Sequence, residues 1–107
     1  MISVDIFKKN GTYKEIRCKG HAEYDDYGKD IVCAAVSVLV ENCFNSVEKY
    51  AYDDFIASSI DNGITSLQLK DDISHDAELL IDSMILGLEG IRQQYGKKYL
   101  KISVKEV

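Results

Sequence analysis

Two Asn-Gly pairs, Asn10-Gly11 and Asn62-Gly63, constrain this chain more than any other feature. A two-residue type I′ turn needs positive φ at both central positions, which Asn and Gly tolerate, so each pair marks a β-hairpin. Ahead of the first, Ile2, Val4 and Ile6 alternate with Ser3 and Asp5; after it, Tyr13 to Gly20 reads as a second strand with Ile16 and Cys18 on one face. Around the second pair, Asp54 to Ile60 and Ile64 to Lys70 flank the turn Asp61-Asn62-Gly63.

Each hairpin is followed by a change of period. Val32, Ala35, Val36, Leu39, Val40, Cys43, Phe44 and Val47 recur at helical spacing down to about Tyr50, with Asp30 expected as the N-cap. The second stripe, Ala77, Leu80, Ile81, Met84, Leu88, Ile91 and Tyr95, is expected to be capped by Asp72 or Ser74 and to end with Gly96 in the left-handed αL conformation. Leu100, Ile102 and Val104 then alternate with polar residues as a last strand. The expected fold is a single α+β domain over residues 1–107 in the order ββαββαβ. It has two layers, an antiparallel or mixed sheet carrying both helices on one face.

Composition narrows the function classes. A 46% apolar fraction suits a folded core, and a net charge of −5 disfavours nucleic acid as a direct ligand, because phosphate binding needs clustered Lys and Arg. No apolar run is expected to span a membrane, and the N-terminus lacks the pattern of a signal peptide. Three cysteines, Cys18, Cys33 and Cys43, are read as free thiols of a cytoplasmic protein. No metal-ligand spacing and no phosphate loop is present, so no cofactor is expected.

The chemistry concentrates between Gly20 and Ser37. His21 follows the second strand, and Cys33 lies near the start of the first long helix, where unpaired amides and the macrodipole favour thiolate. If Asp30 caps the helix, Cys33 is near its third position, and Asp30, Cys33 and Ser37 line one face at i, i+3, i+7. A strand packed edge-on to the helix start would bring His21 within reach of the sulfur as general base and acid. Asp30 would orient His21, Ser37 would steady the thiolate or the loop, and the amides of Cys33 and Ala34 would stabilise an oxyanion. The connecting segment, Ala22, Glu23, Tyr24, Asp25, Asp26, Tyr27, Gly28 and Lys29, is acidic. Its carboxylates would raise a nearby thiol's pKa, and they suit a basic substrate segment. Each residue also has a structural reading: a small buried cysteine, a strand-end histidine, a capping aspartate, a helix-surface serine. Cys18 and Cys43 read as core packing, and His75 as part of a solvated helix start.

Gly20-His21-Ala22, Gly28 and Asp30-Ile31-Val32-Cys33-Ala34-Ala35-Val36-Ser37 resemble the signature of the ribosomal-processing cysteine proteases of Firmicutes and related bacteria. The resemblance covers the whole chain. It implies Cys33 as nucleophile, His21 as general base and acid, and Asp30, Ser37 and Gly20 as supporting residues. It further implies a homodimer that removes the N-terminal extension of a large-subunit ribosomal protein, number twenty-seven of that subunit, with the segment from Ala22 to Lys29 moving for substrate entry. The competing readings are a non-catalytic ribosome-associated module binding a basic protein tail, and a thiol redox protein using Cys33.

Overall fold

A computed structural model describes residues 1–20 and 27–107, with 27–30 described as backbone only. The elements are β1 (Ile2–Lys9), β2 (Thr12–Lys19), α1 (Tyr27–Tyr50), a 3₁₀ turn (Tyr52–Asp54), β3 (Phe55–Asp61), β4 (Ile64–Leu69), α2 (His75–Tyr95) and β5 (Leu100–Glu106). The order ββαββαβ is the expected one. Both hairpins turn as their Asn-Gly pairs require, with φ of 53° and 80° at Asn10 and Gly11 and 52° and 76° at Asn62 and Gly63.

The strands form one sheet in the order β3-β4-β2-β1-β5; β1 and β5 are parallel and every other neighbouring pair is antiparallel. The connections through α1 and α2 therefore join parallel strands, β2 to β3 and β4 to β5, across intervening ones. They run in opposite directions along the sheet from strands that are themselves antiparallel, so two right-handed crossovers put both helices on the same face. Ile2, Val4, Ile6, Ile16, Leu67 and Leu69 point to that face and are buried beneath Val32, Val36, Val40, Val47, Ile81 and Leu88. The opposite face stays polar. There Phe7 lies under the guanidinium of Arg17 at 5.1 Å and the ammonium of Lys105 at 5.6 Å.

Between the helices, the Cys43 thiol donates to the Leu80 carbonyl at 3.7 Å. A Cβ at Gly87 would stand 2.8 Å from Leu39 Cδ1, so this glycine keeps α1 and α2 close. An 18-residue window within Ile31–Tyr50 reaches a mean hydropathy of 1.4, enough by length and composition alone to cross a bilayer, although Glu41, Asn42 and Asn45 interrupt its apolar run. Its Val32, Val36, Val40, Phe44 and Val47 are instead buried in the core under the sheet.

Three local expectations are corrected, and of the two caps expected for α2 one is selected. α1 begins at Tyr27, so Asp30 is its fourth residue and does not cap it, and Tyr27, Gly28 and Lys29 form its first turn instead of a loop. Ser74, not Asp72, caps α2, accepting from the Ala77 amide at 3.2 Å. Gly96 has φ 110° and ψ 155°, a conformation open essentially to glycine alone but not αL. Finally, Asp54 precedes β3 in the 3₁₀ turn and is buried, 3% exposed. Its carboxylate accepts from the Ser74 amide at 3.1 Å and from the Ser74 hydroxyl, and it pairs with Lys70 at 3.5 Å. The buried charge is thus compensated three times over.

Candidate active site

Gly20 follows the last residue of β2 with φ 127°, a backbone conformation L side chains rarely adopt. A Cβ there would stand 2.6 Å from the Met1 carbonyl oxygen and 2.9 Å from Ile2 Cα. Only glycine lets the chain leave the strand so close to the start of β1. His21 follows directly in the sequence. His21, Ala22, Glu23, Tyr24, Asp25 and Asp26 lie outside the described residues, and with them the expected contact of imidazole and sulfur.

Cys33 is the seventh residue of α1 and half-buried at the edge of the core, while Val32 beside it is fully buried. The sulfur is therefore one helical turn deeper than a cap at Asp30 would have put it. By helix geometry the amides of Cys33 and Ala34 bond to carbonyls four residues back, so they are already satisfied and are not oxyanion donors. Asp30, Cys33 and Ser37 do share one helix, and their spacing keeps them along one strip of it. Ser37 is half-buried.

The sequence assigned Cys18 to packing alone, but it has a further relationship. It lies on the helix-facing side of β2 in register with Val4 and Thr65, two residues before Gly20. Burial pushes its thiol up to about 11, and the neighbouring Cys33 charge adds to the rise. The i, i+2 alternation through Ile16, Cys18 and Gly20 carried the signal of a shared face. Cys43, buried between the helices, is pushed up to about 12 by desolvation. All three cysteines are free thiols. Among the described residues no three of His, Cys, Asp and Glu converge as a metal site.

A half-buried thiol on a long helix, with a histidine two residues past the end of β2 in the chain, suits a small α+β cysteine protease, and comparison with known proteins gives that class. The chain belongs to the cysteine protease Prp family, whose sequence model matches residues 1–101. The ribosomal processing cysteine protease Prp of Staphylococcus aureus is 29% identical over 102 residues, covering 91% of this chain and 93% of that protein. Its Bacillus subtilis counterpart is 31% identical over 81 residues, covering 71% of this chain and 72% of that one. Among solved structures, a Streptococcus mutans protein superposes with a TM-score of 0.83 at 25% identity, covering 100% of this chain and 96% of that one. The S. aureus protease bound to a covalently linked product peptide gives a TM-score of 0.80 at 26% identity, over 98% of this chain and 100% of that one. The family is one of ribosomal-processing cysteine proteases, so the non-catalytic and redox readings give way to peptide hydrolysis.

Proposed function

We propose that this protein removes the N-terminal extension of the large-subunit ribosomal protein numbered twenty-seven, with Cys33 as nucleophile and His21 as general base and acid. The observation that carries the reading is the likeness, over nearly all of the chain, to an S. aureus protease solved with a covalently linked product peptide. The local chemistry supports it. Cys18 and Cys43 are held in the thiol form by burial, which leaves Cys33, at the rim of the core on the exit side of β2, as the thiol suited to attack.

In this mechanism His21 accepts the Cys33 proton, and the sulfur adds to the scissile carbonyl carbon. The tetrahedral intermediate collapses with cleavage of the C–N bond as His21 protonates the leaving amine. Water, deprotonated by His21, then adds to the thioester and releases the acid product and the free thiol. Asp30 and Ser37, on the same strip of α1, act as supporting residues. Ala22, Glu23, Tyr24, Asp25 and Asp26, continued by the first turn of α1, form the substrate segment, whose carboxylates suit a basic peptide. Closure of that segment over bound peptide would complete the site.

The protein works in this reading as a cytoplasmic homodimer. Val38, Leu79 and Leu86, exposed by 66%, 56% and 75% on the outer faces of the helices, are consistent with a covered surface. Sedimentation velocity tests the assembly, and a monomer at micromolar concentration would overturn it.

The direct test incubates the protein with the extended N-terminal peptide of the ribosomal protein from the same cell, followed by mass spectrometry. A single cut, absent in Cys33→Ala and in His21→Ala, is the expected result. An uncut peptide with correctly folded wild-type protein would overturn the substrate assignment.

A further inference from the structure

On the side of α1 that carries Cys33, a groove of about 450 Å³ opens between the helix and the β3–β4 hairpin. Glu41, Phe44 and Asn45 form its helical wall, and Ser58, Ile60 and Thr65 its strand wall. Cys33, Ser37, Glu41 and Asn45 are spaced four apart, so one continuous strip of α1 runs from the thiol into the groove. The same approach exists across the sheet. Cys18, which neighbours Cys33, is in register with Thr65, and Thr65 with Ile60. The path is about 12 Å along the helix and about 10 Å across two strand spacings, the length of about three residues of extended peptide.

The lining has a definite chemistry. Glu41 is the one ionisable side chain among its described residues, and the chain as a whole carries −5. The Asn45 amide and the Ser58 and Thr65 hydroxyls add neutral acceptors. Phe44 underlies the groove at 4% exposure, whereas Ile60 at its edge is 78% exposed although it points to the helix-bearing side of the sheet. An acidic head group above apolar walls matches a side chain with a long methylene stem and a cationic tip.

Building on the protease reading, we propose that this groove is a specificity subsite. It takes a lysine or arginine of the substrate about three residues from the scissile bond, pairing its cation with Glu41 and laying its stem over Phe44 and Ile60.

The test uses a fluorescein-labelled peptide spanning the cleavage site of the ribosomal protein precursor, and versions in which each lysine or arginine is replaced singly by methionine. Binding is read by anisotropy on Cys33→Ala protein with and without Glu41→Gln, and cleavage on the protein with Cys33 intact. Glu41→Gln should weaken binding and raise KM about fivefold, the scale of one partly solvated ion pair, and leave kcat in place. One methionine peptide should lose all dependence on Glu41, and Glu41→Lys should regain affinity for a peptide with glutamate at that position. Equal affinity of the two proteins for the parent peptide, or a fall in kcat alone, would overturn the subsite. Glu41-dependent binding without cleavage would instead overturn the assignment of this peptide as the protein cut and leave the subsite standing. Glu41 is exposed on the helix, so its variants should melt with the parent protein.

Discussion

Gly20 and Met1 approach so closely that a Cβ on the glycine would stand 2.6 Å from the Met1 carbonyl oxygen. Neither the contact nor the φ of 127° admits another residue without movement of backbone. Gly20→Ala is expected to destabilise the fold by about 1–3 kcal/mol, a fall in melting temperature of about 5–15 °C for a domain this size. Because the next residue is His21, kcat/KM of the variant should fall further than its folded fraction explains. An unchanged melting curve would show that β1 gives way freely.

The thiols should separate by reactivity. With Cys18 raised to about 11 and Cys43 to about 12, both are almost wholly protonated at pH 8. Iodoacetamide at that pH should label Cys33 first, as peptide mapping would show. Uniform labelling of the folded protein would contradict the burial of the other two.

The same groups fix an alkaline limit. Both thiols have folded pKa values above their ordinary value of 9.0, so the folded state holds their protons longer than the unfolded chain does. Their stabilisation is complete below pH 9 and is lost as pH rises through about 11 to 12. Denaturant midpoints should decline over that window, and less steeply in Cys18→Ala.

Asp54 acts at the other end of the scale. Against the opposing effect of burial, the Ser74 hydroxyl, the Ser74 amide and Lys70 together hold its carboxyl below the usual value. Its contribution is therefore present above the unfolded carboxylate pKa and lost as pH falls through the lower folded value. Ser74→Ala removes both the α2 cap and a partner of Asp54 and should cost about 1–3 kcal/mol. Asp54→Asn should weaken the acid dependence of the melting temperature, and an unaltered acid limb would shift the effect to other carboxylates.

Tyr13 and Asp82 tie β2 to α2 by a hydrogen bond of 2.5 Å. Burial first, then this bond and the charges of Asp82 and Glu78, push the phenol above its ordinary range. Tyr13→Phe should cost about 0.5–1.5 kcal/mol in chemical denaturation and leave peptide cleavage intact, because the tie lies away from the Cys33 strip. A comparable loss of cleavage would place it in the catalytic path.

Much of the fold was legible in the chain because it is written locally. Asn10-Gly11 and Asn62-Gly63 demand positive φ whatever surrounds them, and the apolar period distinguishes strand from helix within a few residues. The strip Asp30, Cys33, Ser37 followed from helical spacing alone. The start of α1 did not, because Asp30 is a good cap by composition and yet the helix begins three residues earlier.

What the tertiary structure alone decided involves residues distant in sequence. Asp54 reads as the polar first residue of a strand; only the arrival of Ser74 and Lys70 makes it a buried clamp. Gly20 reads as a strand end until Met1 and Ile2 close against it. Cys18 becomes a neighbour of Cys33, and Glu41 the acidic wall of a groove, only once β4 is inserted between β2 and β3 and α1 is laid across them. The sequence determined the elements and the residues able to do chemistry, since turn preference and amphipathic period act over a few neighbouring residues. Burial, proximity and charge environment arise between segments tens of residues apart, and the packed sheet and helices alone bring those together.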